Sequence, residues 1–244
     1  MLIFSSIENV VFYSGALAAE IIGTITGFGS ATIFTAVAAF FMDIKTAIVV
    51  VAFFHLFGAA TRLFLFRKTL DKQVAILFGL PDILFTVIGA ALILAAPAEL
   101  IKTAFGVFLI GYSLFSFFKP NMNLPRKTAT LAAGGALSGF LAGLIGTGGA
   151  VRATAMTAFG LPRDYYLGTG ALLAVVTDLT RLSVYFANDA GGQVESFLPM
   201  LAVFLPIAVI GTIIGQKIAV KLKESLFHKV VLIALTAAGI NFLL

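Results

Sequence analysis

Gly146-Thr147-Gly148-Gly149 interrupts an apolar run from 128 to 161, and Gly27-Phe28-Gly29-Ser30 interrupts another from 10 to 42. The two stretches lie 119 residues apart. The same offset pairs Ala31 with Ala150, Thr35 with Thr154, Phe40 with Phe159, and Thr61-Arg62-Leu63 with Thr180-Arg181-Leu182. Between positions 27 and 63, 11 of 37 residues match their counterparts. A duplicated hydrophobic unit broken internally by glycines is the pattern of a repeat-built membrane protein.

Composition sets the solvent. Of 244 residues, 60% are hydrophobic and 11% charged, with a mean hydropathy of +1.09. Soluble domains carry about 25% charged residues, and no soluble fold could hide so much apolar surface. The expectation is an all-α polytopic membrane protein. Cysteine is absent, which excludes disulfides and thiolate metal sites. No metal or cofactor is expected. The first nine residues carry Glu8 and no Lys or Arg, unlike the basic start of a cleaved signal peptide. The net charge of +5 comes mostly from short loops. That fits orientation in a bilayer and argues against a nucleic-acid partner.

Further apolar segments fall at 46–66, 74–96, 99–118, 165–186, 197–220 and 226–244. The polar linker 119–127 separates a first repeat, 1–118, from a second, 128–244. Lys and Arg cluster in 67–73, 119–127 and 217–229, whereas 187–196 has Asp189 and Glu195 and no basic residue. The former three should be cytoplasmic and the last external, with both termini periplasmic. Equivalent loops thus carry opposite charge, so the repeats are inverted. Inversion needs an odd number of crossings per repeat, which makes each first segment a hairpin bent at its glycines. The second arms, 30–42 and 149–161, are 13 residues or about 20 Å long, too short for a hydrocarbon core of about 30 Å. About ten helical segments result.

Helices restarting at Ser30 and Gly149 would aim unpaired N–H groups and positive dipole ends at a common point. The reading competes with glycines that serve close helix packing. Arg152 lies four residues past Gly148, far from any loop, and its counterpart is Ile33. An intramembrane Arg marks a site by default, against the alternative of a structural salt bridge to Glu20, Asp82 or Asp178. Arg62 and Arg181 lie near segment ends, where long side chains snorkel, and Asp178 precedes Arg181 by a helical three. His55 is a proton relay or a core histidine. Asp82, after Pro81, and Glu20 could carry protons or relieve backbone. Tyr13, Tyr165 and Tyr166 near segment ends could form an aromatic belt.

Gly139-Phe140-Leu141-Ala142-Gly143-Leu144-Ile145-Gly146-Thr147-Gly148-Gly149, then Gly160-Leu161-Pro162 and Leu167-Gly168-Thr169-Gly170, resemble the TauE/SafE sulfite exporter family over essentially the whole chain. The resemblance implies a secondary transporter, not an enzyme, that moves sulfite or sulfonates across the bacterial inner membrane, usually outward. The binding residues expected are Gly27, Phe28, Gly29, Ser30, Gly146, Thr147, Gly148, Gly149, Arg152 and Thr169. His55, Arg62, Asp82, Asp178, Arg181 and Glu20 are candidates for coupling or gating. The partners expected are a small anion and the bilayer, with a homodimer as a candidate assembly. The alternatives are an anion channel built on the same dipoles and a transporter of a carboxylate without sulfur.

Overall fold

The structure, a computed structural model, describes residues 6–26, 29–119, 124–188, 191–219 and 224–243. The described residues form ten helices and no strand. In order they are α1 (Ser6–Thr26), α2 (Ser30–Ala38), α3 (Ile44–Phe66), α4 (Lys72–Ala95), α5 (Ala98–Phe118), α6 (Thr128–Ile145), α7 (Gly149–Thr157), α8 (Arg163–Ala187), α9 (Gly191–Ala219) and α10 (Glu224–Leu243). Six of them contain stretches long and apolar enough to span a bilayer: α3, α4, α5, α6, α8 and α9. The chain is a polytopic membrane protein.

Local chemistry places the boundaries. Asp43 caps α3 by accepting from the N–H groups of Lys45 and Thr46, both at 3.1 Å. Asp71 does the same for α4 through Val74, at 2.8 Å. These caps satisfy donors that a helix start leaves free. Gly146 ends α6 in the left-handed conformation, φ 75°, where a side chain would be strained. Gly29 takes φ 93° at the start of α2 for the same reason.

The second arms are shorter than the hydrophobic run implies. α2 and α7 each have nine residues, about 14 Å, because turns at 39–42 and 158–160 follow. Gly160 takes φ 60° in the second of these turns. α9 begins at Gly191, earlier than the apolar run at 197. Hydropathy cannot see a helix that continues through polar residues.

Pairing exchanges the two halves. α3 packs on α8 and α5 on α10, while α1 packs on α9 as α6 packs on α4, and α3 meets α9 as α8 meets α4. α3 and α8 run antiparallel. Beyond the end of α3, the Thr69 hydroxyl donates to Asp164 O at 3.1 Å near the start of α8. α5 and α10 are antiparallel too, since Gly106 faces Phe242 while Ile110 faces Gly239. α4 and α6 run parallel and touch backbone to backbone. A Cβ on Gly135, Gly139 or Gly143 would sit 2.2, 2.1 or 2.4 Å from the carbonyl oxygens of Phe78, Asp82 or Thr86. Small residues at a spacing of four permit this approach where no hydrophobic force separates helix from lipid.

Phe12, Phe34, Phe54 and Phe204 pack α1, α2, α3 and α9 together, with the rings of Phe34 and Phe54 at 4.8 Å. Many large apolar side chains outside this core, such as Leu80, Leu84 and Val107, remain exposed, as lipid contact requires.

Candidate functional site

Both half-helices start at one place. A Cβ on Gly29 would lie 3.8 Å from Cα of Gly149 and 3.7 Å from Nε2 of His55. His55 is near the middle of α3, and Thr177 and Asp178 are near the middle of α8. The helix breaks therefore sit at mid-height of two candidate spans. Thr32, in the first turn of α2, is bridged hydroxyl to hydroxyl with Thr147 before α7, a link between the two breaks.

Two small cavities adjoin the breaks. The outer, of about 50 Å³, is lined by Gly23, Thr24, Gly29, His55, Arg62 and Arg152, and on its far side by Met156, Tyr166, Leu167, Gly170, Ala171 and Ala174. The inner, of about 10 Å³, touches Gly29, Thr32, Gly146, Gly148, Gly149, Arg152, Thr177, Asp178 and Arg181. A water needs roughly 10–15 Å³ on this measure, so the outer cavity has room for a small polyatomic ion. Neither α2 nor α7 has a side-chain cap. The first N–H groups of each have no intrahelical partner by construction.

Charge decides what such a cavity can hold. Among the described residues the Arg152 guanidinium makes no hydrogen bond and no ion pair, its backbone N–H alone donating to Gly148 O at 3.0 Å, and it lines both cavities. The three acids that could pair with it bond other groups, Asp178 through both oxygens, Glu20 and Asp82 through one each, with Glu20 Oε2 and Asp82 Oδ1 left without a hydrogen-bond partner among the described residues. Glu20 takes Arg62 Nη1 at 2.5 Å and the Thr212 hydroxyl at 2.8 Å. Asp178 takes Arg181 through Nη2 at 2.7 Å and Nε at 3.0 Å, and meets His55 Nδ1 at 2.7 Å. Asp82 accepts from the Thr177 hydroxyl at 2.5 Å and lies behind it, off both cavities. Pro81 leaves α4 unbroken.

The structure gathers some of the sequence-selected residues and disperses others. Gly29, Gly146, Gly148, Gly149 and Arg152 line the cavities, together with His55, Arg62, Asp178 and Arg181. Ser30 is buried and lines neither cavity, because its backbone packs on Gly23 of α1. Thr147 is buried in its bridge to Thr32. Thr169 is fully buried at the α3–α4 loop, where it accepts from Asp71 N–H at 2.8 Å, and lines neither cavity. Gly27 and Phe28 lie outside the described residues. Arg62 and Arg181 do not snorkel. Their side chains are 12% and 2% exposed, turned inward by the carboxylates they meet. Tyr166 lines the outer cavity instead of an aromatic belt.

Thr24, Thr32 and Thr177 were not singled out by the sequence. Their signal was a hydroxyl on the inward face of an apolar helix, which is too common to select without the fold. No curated protein matches the chain. The family model of the sulfite exporter TauE/SafE matches residues 11–242, so this chain of breaks and buried charges belongs to the TauE/SafE family of membrane transporters and is not an enzyme.

Proposed function

We propose that the protein is a secondary transporter of sulfite or a small sulfonate, bound between the starts of α2 and α7. The observation that carries this reading is Arg152, the cavity-lining guanidinium that forms no salt bridge among the described residues. A cation at mid-span is costly unless something uses it. A tetrahedral or pyramidal oxyanion suits a planar donor fork beside uncapped N–H groups. The far wall of Met156, Leu167 and Ala171 suits a short organic tail.

The halves 1–118 and 128–244 are proposed as inverted repeats in the bacterial inner membrane, with periplasmic termini and a cytoplasmic linker. The antiparallel run of equivalent helices, α3 against α8 and α5 against α10, supports this arrangement. Transport would be rocking of one half against the other about the cavity, with export following the family's direction.

The test is a thermal-shift panel of sulfite, methanesulfonate, taurine, sulfate and acetate on purified protein, since a ligand stabilises in step with its occupancy. Sulfite or a sulfonate should raise the melting temperature of the wild type and leave Arg152→Gln unmoved. Arg152→Lys should keep part of the shift, because a point charge replaces a fork. An equal shift in wild type and Arg152→Gln would remove Arg152 from the site.

A further inference from the structure

We propose that the Nε2 of His55 takes up a proton together with the anion, so that the protein is a proton–anion symporter; this rests on the anion site described above. His55 is one of four residues that line both cavities, with Gly29, Arg152 and Ala174. It is 5% exposed. Its Nδ1 meets Asp178 Oδ2 at 2.7 Å, and the other carboxylate oxygen is held by Arg181. A carboxylate fixed by a guanidinium only accepts, so Nδ1 carries the hydrogen and Nε2 is the atom left to gain or lose a proton. Nε2 has no hydrogen-bond partner among the described residues and faces the start of α2 at Gly29.

Every charged group around it has a defined place. α8 presents Asp178 and Arg181, which neutralise each other. α7 presents Arg152. Arg62, two turns along α3, is matched by Glu20 of α1. Asp82 of α4 stands behind Thr177. α2 has no ionisable residue, and Glu99 and Lys102 of α5 and Lys217 of α9 line neither cavity. Protonating Nε2 therefore adds one positive charge and one N–H donor beside Arg152. Proton and anion each strengthen the binding of the other, because linkage between sites is reciprocal.

The pair occurs once. The repeat counterparts of His55 and Asp178 are Ala174 and Ala59, so one anion site is matched by one titrating nitrogen. The proton binds from water on one side as an N–H bond forms, and leaves to water on the other as that bond breaks. With a monoanion the transported sum carries no net charge.

The experiment uses wild-type protein in liposomes with a trapped pH dye and an imposed gradient of methanesulfonate, a monoanion that carries no proton of its own. Anion flux is assayed chemically in parallel. About one proton should accompany each anion in the wild type, in keeping with a single titrating nitrogen. In His55→Gln the proton-to-anion ratio should fall towards zero, and in Asp82→Asn it should stay as in the wild type. Anion flux without protons in the wild type overturns the proposal, as does an unchanged ratio in His55→Gln. No flux of methanesulfonate or sulfite in the wild type overturns the transport reading itself and the proposal with it. If His55→Gln fails to insert, His55→Asn decides by the same ratio: a ratio near zero supports the proposal, and a wild-type ratio counts against it.

Discussion

Arg62 and Arg181 occupy equivalent positions in the two halves, yet each is neutralised by a different device. Arg62 reaches across to Glu20 on α1, and Arg181 turns back three residues to Asp178 on its own helix. The counterpart of Glu20 is Gly139, where a Cβ would already collide with the Asp82 carbonyl. The second half has no room for a glutamate there, so its acid sits on α8. Arg181 then also approaches Ala142 O at 3.4 Å, near the end of α6, where a cation favours the helix dipole. Removing one member of a buried pair strands the other, which costs about 3–5 kcal/mol. Arg181→Met should therefore destabilise the protein by that order in reversible unfolding from mixed micelles, while Arg67→Met, at an exposed residue, should change little.

At the scale of elements, glycine has two separate duties. In α6 it brings backbones together. Gly139→Ala would overpack against α4 and should cost about 1–3 kcal/mol, whereas Gly111, with nothing within 4 Å of its Cβ position, should accept Ala at no such cost. Thermal unfolding of the two variants compares them directly. At the breaks, glycine opens the cavity. Gly148→Leu would strike Ser138 O at 2.4 Å and damage the hairpin, but the Cβ of a residue at 170 meets only the Met156 thioether and methyl, at 3.9–4.0 Å. Gly170→Leu should therefore fold, fill the outer cavity and abolish the sulfite-induced thermal shift.

The broken helices were legible because two signals agreed: glycines recurred at a fixed offset, and the arms after them were too short to cross. Arg152 stands out in the sequence because charge in an apolar run is rare, and the fold places it on both cavities. The hydroxyl partners were not legible, since Thr32 and Thr177 acquire their roles, and Thr147 its bridge to Thr32, only when α2, α7, α4 and α8 converge. Thr169 misled for the same reason. A motif places a residue on a helix without saying which neighbour it will meet, and here that neighbour is the Asp71 backbone. The arms were read four residues too long because hydropathy continues through the turns that end them.

For the whole molecule, the two half-helices are held unequally. Seven of the nine residues of α2 are buried, against three of α7. α7, which carries Arg152, is thus the less anchored of the two and the natural element to shift when an anion enters or leaves. The proposed inversion makes its own prediction. Lys68 after α3 and Asn188 after α8 are exposed and follow equivalent helices. Because the chain has no cysteine, Lys68→Cys and Asn188→Cys can be labelled singly in intact cells. An impermeant maleimide should reach 188 and not 68, and equal labelling would contradict the inversion. The site itself is tested most directly by locating an anion. Crystals grown with selenite, a heavier relative of sulfite, should show one anomalous peak per chain within hydrogen-bond distance of the Arg152 guanidinium and beside the first N–H groups of α7. A bound anion elsewhere, with the space between Gly29, Gly149 and Arg152 left without a peak, would contradict the account.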